Sequence, residues 1–308
     1  MFKIKTMNTI SGQGIGVLEK RGCEVGAAVE NPDGLLIRSA DLHGYDFGEN
    51  LLGIARAGAG YNNIPTEECA ERGIVVFNSP GANAEAVKEQ EICSLVMASR
   101  DILGSIDWVR SIAERGDEIP ALVEKGKSAF AGPEIEGKTL GVVGLGAIGV
   151  RVANAAHHLG MNVIGFDPYL SVDAAWHLTR FAHKANSLDE LLEKADYITI
   201  HVPSTPSTKG MFNSEAFAKM KSSAILLNLG RGPIVVEQDL YDALETGEIA
   251  AAGLDVLTKE PMSVDNPLRK IKDSGKLLIT PHIAWASIEA RTRLMKIIEG
   301  QIREFFHL

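Results

Sequence analysis

Apolar residues in this chain gather into short runs rich in aliphatic and β-branched side chains, separated by stretches in which apolar positions recur at helical spacing. The runs at 3–7 (KIKTM), 24–29 (EVGAAV), 34–39 (GLLIRS), 51–57 (LLGIARA) and 73–78 (GIVVFN) predict a first set of strands, enough for one sheet. A helical pattern follows from about Ala82 through Arg110. A second strand series then occupies 139–144, 162–167, 197–202, 224–230, 251–257 and 276–282. Strands alternating with helices throughout predict an α/β fold with two doubly wound parallel-sheet domains built from βαβ units. The polar segment Glu114–Lys138 reads as the separator of two cores.

Composition narrows the class of partner. A chain of 308 residues with 45% apolar content can bury a large core, and two domains are expected at this length. A net charge of −9, with no basic block, argues against nucleic acid and anionic membrane as partners and leaves small molecules. Cys23, Cys69 and Cys93 are scattered and odd in number, which suits a reducing compartment better than a disulfide framework. The opening MFKIKTMNTISGQG holds no apolar stretch of signal-peptide length, so a cytoplasmic location is expected.

Candidate chemistry begins with GLGAIG at 144–149, which follows an apolar run, opens an alanine-rich helical pattern and is succeeded by a strand ending in Asp167. That is the context a dinucleotide-binding loop requires. Gly144 closes the strand, Gly146 lets backbone approach a pyrophosphate, and Gly149 permits tight helix packing. The helix start at Ala147 and Ile148 offers free N–H groups. Asp167, followed by the turn residue Pro168, can accept both ribose hydroxyls and would repel a 2′-phosphate, which favours NAD over NADP. SGQGIG (11–16) and RAGAG (56–60) do not complete the motif and read as turns.

Ligands of open α/β sheets bind beyond the carboxyl ends of strands, which draws attention to His201, Arg231, Glu260 and His282. Hydride transfer to a carbonyl needs an acid for the developing alkoxide and a cation to hold a carboxylate and polarise the carbonyl. A histidine and an arginine meet those needs, and a carboxylate such as Glu260 would stabilise an imidazolium. Isolated strand-end histidines are more often structural, and His201, His43, His177 and His183 are read that way. His157 and His158, adjacent on a helix, diverge, and no metal site is expected.

GLGAIG, DPY, HVPSTPSTKG, NLGRG, GLDVLTKEP and TPHIAWAS, in this order, resemble the D-isomer-specific 2-hydroxyacid dehydrogenase family across nearly the whole chain. The resemblance implies that Arg231 binds the substrate's carboxyl and carbonyl oxygens, that His282 is the general acid/base, and that Glu260 pairs with it. It implies further that Asp255 contacts the nicotinamide amide, that Val202 and Pro203 lie along the adenosine side, and that Leu229 and Gly230 approach the nicotinamide. In this family a Rossmann NAD-binding domain is inserted into a flavodoxin-like substrate domain. The expected division is therefore 1–100 with 286–308 for substrate and 101–285 for NAD. Homodimerisation is implied through the helix around Ala84–Arg110, whose Ile92, Leu95, Val96, Ile102 and Leu103 would equally serve as core.

Within the family, the first lobe is most similar to the branch that oxidises D-3-phosphoglycerate to 3-phosphohydroxypyruvate at the start of serine synthesis. By that likeness Arg38 and Arg56 sit near an anionic, phosphorylated 2-hydroxy or 2-keto acid. Ala59 and Gly60 belong to the loop that cradles its carboxylate through backbone N–H groups, and Asn78 joins them. EPMSVDNPL and the Ala284–Trp285 pair are more similar to glycerate dehydrogenases, which reduce hydroxypyruvate or glyoxylate. The chain ends soon after His282, so no feedback by serine through an appended regulatory domain is expected. A dinucleotide-sensing corepressor shares the fold and is the alternative of another class, against which the complete Arg231, Glu260 and His282 set weighs.

Overall fold

A computed structural model describes residues 1–8 and 12–308 and divides the chain into two compact units, 1–86 with 285–308 and 87–284. In the first, strands β1 (Lys3–Thr6), β2 (Glu24–Gly26), β3 (Gly34–Ile37), β4 (Gly53–Arg56) and β5 (Val75–Phe77) form a parallel sheet ordered 2-1-3-4-5. That is the flavodoxin-like order. Helices α1 (Gly12–Lys20) and α2 (Thr66–Glu71) connect its strands. The segment SGQGIG thus departs from the expected turn: Ser11 lies outside the described residues, and the glycines from Gly12 onward are helical. Leu18 of that helix is fully buried, which ties it to the core.

The second unit begins within α3 (Ala84–Ser99) and continues through α4 (Ile102–Ser111), α5 (Ile119–Gly126), β6 (Thr139–Val143), α6 (Gly149–His158), β7 (Asn162–Phe166), α7 (Val172–His177), β8 (His183–Lys184) and α8 (Leu188–Lys194). Beyond these come β9 (Tyr197–Ile200), α9 (Ser214–Phe217), β10 (Ile225–Asn228), α10 (Glu237–Thr246), β11 (Ala251–Leu254) and β12 (Leu277–Ile279). Finally α11 (Ile288–Phe305) belongs to the first unit. All pairings in the second sheet are parallel, in the order 12-11-10-9-6-7-8. The order reverses between β6 and β9, as in a Rossmann sheet. Every residue of β9, β10 and β11 is buried. Strands covered by helices on both faces read as unbroken apolar runs, which is how they stood in the sequence.

Three expectations on organisation differ from the structure. The helix anticipated over 82–110 is two helices, because the Asp101 carboxylate accepts Gly104 N–H at 2.9 Å and starts a new helix there. The division falls at 86, not 100, because Val87 and Leu95 of α3 pack with Leu140, Val142 and Tyr197 in the core of the second unit. Glu114–Lys138 does not separate two cores but lies inside the second unit, where α4 and α5 bury no residue fully.

Candidate active site

β6 and β9 end in register, Val143 opposite Ile200, so Gly144 and His201 step out of the sheet side by side at the reversal point. Gly144 takes φ +95°, and a Cβ on it would come within 2.8 Å of the His201 carbonyl carbon. A Cβ on Gly149 would lie 2.0 Å from the Gly144 oxygen, so α6 rests directly on the loop that precedes it. At Gly146, by contrast, nothing lies within 4 Å of a built Cβ, and both Gly146 and Ala147 are exposed. The loop therefore presents backbone to open space at the start of a helix, which suits a pyrophosphate. Asp167 accepts Leu145 N–H at 2.8 Å and Tyr169 N–H at 2.8 Å, which fixes its carboxylate against the same loop. A carboxylate has capacity for further donors, and the group fits a ribose diol. Pro168 is exposed beside it, and Ile148 is half-buried.

Three strand ends carry the catalytic candidates. After β10, the Asn228 side chain accepts Gly230 N–H at 3.1 Å and donates to Arg231 O at 3.0 Å, shaping the turn of Leu229, Gly230 and Arg231. The Arg231 guanidinium donates to Gly230 O at 2.7 Å. Gly232 then meets the chain after β11: its Cβ would lie 2.0 Å from the Leu257 carbonyl carbon. Only glycine allows those two backbones to touch, and the contact brings the turn of Arg231 against the loop of Glu260. Burial pulls the Arg231 guanidinium below its usual range, and the charge of Glu260 works against that shift.

Glu260 accepts Leu257 N–H at 3.0 Å through Oε1, and Oε2 lies 2.7 Å from His282 Nδ1. Burial opposes its charge, but the bonds from His282 and Leu257 and the positive charges of His282 and Arg231 outweigh it, holding the carboxyl below the ordinary value. His282 follows β12 with φ +55°, a left-handed backbone that a histidine adopts only where its surroundings impose it. Asp255 is what imposes it here. Its carboxylate, 2% exposed, accepts Thr280 Oγ1–H at 2.5 Å, Ile283 N–H at 2.8 Å and Ala284 N–H at 2.9 Å, clamping the loop on both sides of His282. A cavity of about 750 Å³ adjoins Glu260, Thr280 and His282.

The structure thus brings Arg231, Glu260, His282 and Asp255 together, with Gly144–Gly149 and Asp167 across the reversal point of the same sheet. Val202 and Pro203 follow β9 beside Gly144. Sequence reasoning singled out neither Asn228 nor Thr280, which shape the candidate catalytic loops, nor the buried Thr199 of β9 and Glu91 of α3. Asn228, Thr199 and Thr280 showed only as polar residues in or at the end of apolar runs, and Glu91, in the polar stretch 88–91, carried no signal of burial.

Arg38, Arg56, Ala59, Gly60 and Asn78 belong to the first unit. The Arg38 guanidinium lies over the Trp285 ring, 5.0 Å from its centroid. Arg56 curls over Gly58, whose N–H donates to Ser79 Oγ at 3.0 Å. Asn78 donates to Ala59 O at 2.7 Å, which sets the carboxyl side of the loop through Gly60.

A doubly wound nucleotide-binding domain with an imidazole–carboxylate pair and a half-buried guanidinium at its strand ends defines a dehydrogenase class. Residues 95–284 match the family model of the D-isomer specific 2-hydroxyacid dehydrogenase, NAD binding domain. The chain belongs to the D-isomer specific 2-hydroxyacid dehydrogenase family. It is 36% identical to the D-3-phosphoglycerate dehydrogenase of Archaeoglobus fulgidus over 98% of this chain and 56% of that one. To the hydroxypyruvate reductase of Blautia hydrogenotrophica it is 36% identical over 83% of this chain and 76% of that one. The NAD+-bound 3-phosphoglycerate dehydrogenase of Entamoeba histolytica superposes with a TM-score of 0.77 at 25% identity, covering 99% of this chain and 95% of that one. The chain spans about half the length of the curated phosphoglycerate dehydrogenases it matches, 56% of the one from Archaeoglobus.

Proposed function

We propose that this protein is an NAD-dependent dehydrogenase that interconverts D-3-phosphoglycerate and 3-phosphohydroxypyruvate, the reaction that opens serine synthesis. The observation that carries the reading is the 2.7 Å pair of His282 and Glu260, with the turn of Arg231 braced against the same loop. NAD, when bound, supplies the hydride acceptor. The chain holds it with the loop 144–149 at the pyrophosphate, Asp167 and Pro168 at the ribose, Val202 and Pro203 along the adenosine side, and Leu229, Gly230 and Asp255 toward the nicotinamide. Arg231 grips the substrate's carboxylate and the oxygen on C2. His282 takes the hydroxyl proton through Nε2 as the C2–H bond breaks, and returns it in the reductive direction. Glu260, bonded to Nδ1, orients the ring and stabilises the imidazolium. In the first unit, Arg38 and Arg56 pair with the phosphate, while Ala59, Gly60 and Asn78 serve the carboxylate. The working form is a cytoplasmic homodimer.

One observation favours a second reading, reduction of hydroxypyruvate: the Arg38 guanidinium is engaged by the Trp285 ring, which draws on a cation that the phosphate needs. The test compares kcat/KM for phosphohydroxypyruvate and hydroxypyruvate with NADH. A preference of about a hundredfold for the phosphorylated acid is expected. The reverse preference would establish the second reading.

A further inference from the structure

Beneath the reversal point of the second sheet lies a buried polar chain that the proposed chemistry does not use. Glu91, on α3, is 0% exposed, and its Oε1 accepts the Thr199 hydroxyl proton at 2.5 Å. The same hydroxyl lies 2.9 Å from His201 Nε2. α3 crosses the sheet over Gly253, where the Ser94 Cβ lies 3.9 Å from a built glycine Cβ. One turn earlier, Glu91 reaches Thr199, the penultimate residue of β9. Glu91 Oε2 and His201 Nδ1 are both buried and have no hydrogen-bond partner among the described residues.

Among the described residues, the ionisable groups named with Glu91 lie on three elements. Asp255 faces it from the end of β11, His201 stands beyond Thr199 at the end of β9, and Lys88 and Glu89 precede it on its own helix. Burial pushes the Glu91 carboxyl up to about 7; the Thr199 bond pulls it down, and the charge of Asp255 pushes it up further. Burial holds the His201 imidazole down to about 4, so its ring is neutral.

Thr199 has one hydroxyl proton, and that proton ties the two ends together. With Glu91 ionised, Thr199 donates to it and accepts from His201 Nε2–H, which leaves Nδ1 a bare acceptor. With Glu91 protonated, the carboxyl donates to Thr199, Thr199 donates to Nε2, and His201 carries its proton on Nδ1. Passing from the second state to the first shifts each proton by one bond and gives up a single proton from Nδ1 to solvent water, and the reverse passage takes one up. The far end of the relay, His201, sits against Gly144 of the dinucleotide loop.

The oxidised nicotinamide ring carries one positive charge more than the reduced ring. A buried carboxylate linked to the dinucleotide loop therefore favours the oxidised dinucleotide, the more strongly the closer it lies to the ring. We propose that Glu91, relayed through Thr199 to His201, is a second proton-binding site of the nucleotide-binding unit, ionised with the oxidised dinucleotide bound and protonated with the reduced one. The inference rests on the NAD reading above.

His282 also exchanges a proton, so the test uses His282→Gln protein, in which the buried relay remains without it. NADH and NAD+ binding are measured by calorimetry in two buffers of different ionisation enthalpy across the neutral range. NADH binding should take up a fraction of a proton near neutrality, and the ratio of NADH to NAD+ affinity should fall about fivefold or more as pH rises through that range. Adding Glu91→Gln should abolish both effects. Thr199→Val, which keeps Glu91 but removes the bond that lowers its pKa, should move proton uptake to higher pH, and it keeps the idea testable if Glu91→Gln does not fold. Proton uptake unchanged in both variants overturns the relay while leaving NAD binding intact. Failure of the unmutated protein to bind NADH overturns the functional reading as well.

Discussion

His282 and Glu260 lie in bonding distance, and three backbone and side-chain donors converge on Asp255 and hold the loop that carries the imidazole. Replacing His282 with Gln should lower turnover by about 10³-fold or more while leaving NADH affinity near its original value. These residues were legible in the sequence because each stands just past an apolar run in a motif of fixed order. Glu91 and Thr199 were not, because Thr199 is one polar residue in an apolar run and Glu91 ends the polar stretch 88–91, where nothing marks it as the buried one whose partner lies far away in the chain. Glu91 has its own signature in stability. Its folded pKa, about 7, exceeds the unfolded value near 4.5, so its stabilising contribution is complete below about pH 4.5 and is lost as pH rises to 7. His201 acts with the opposite sign in a window that largely overlaps: its folded pKa, about 4, lies under the ordinary 6.5, and stability falls as pH drops between them. Glu91→Gln should therefore raise the melting temperature relative to the parent at pH 8 but not at pH 4.5. Equal shifts at both would argue for packing alone.

At the scale of the element, the glycine loop separates two roles that the motif merges. Gly149 faces backbone, with the Gly144 oxygen 2.0 Å from its built Cβ, so Gly149→Ala must push α6 away from the strand end. A loss of about 1–3 kcal/mol in unfolding free energy by urea titration is expected. Gly146 faces open space, so Gly146→Ala should melt like the parent yet bind NADH about tenfold or more weakly, because its Cβ enters the path of the pyrophosphate. An unfolding midpoint as low as that of Gly149→Ala would mean that the loop is merely structural at both positions. Each strand anticipated from the apolar runs is present, shortened at its ends, since buried runs continue past the last ladder bond into the loops. β8 escaped notice, as His183–Lys184 is two exposed residues long with no apolar pattern to betray it. The break at Asp101 was equally hidden, because apolar spacing runs on through both helices and only the capping bond to Gly104 reveals the new start.

For the whole molecule, two strand series were visible in the apolar pattern, and the interruption of one unit by the other was implied only by the family resemblance. The exact seam was not visible, since it depends on which core each turn of α3 meets, and Ala84 and Val87 are both apolar and both buried. The same helical region bears on assembly. Leu95, one of the residues considered for a dimer contact, is fully buried in the second unit's core and is not available for one. α4 is different: Leu103, Ile106 and Val109 are 39%, 41% and 54% exposed and recur every third position along one side. Three large aliphatic side chains aligned on a helix with no fully buried residue form an apolar stripe suited to a second copy. If α4 makes the dimer contact, Ile106→Glu with Val109→Glu should convert a dimer to a monomer in sedimentation equilibrium. The melting temperature of the separated chain should stay within a few degrees of the parent, because neither side chain is in a core. A parent protein that sediments as a monomer would refute the dimer, and a double variant that remains dimeric would move the contact off α4.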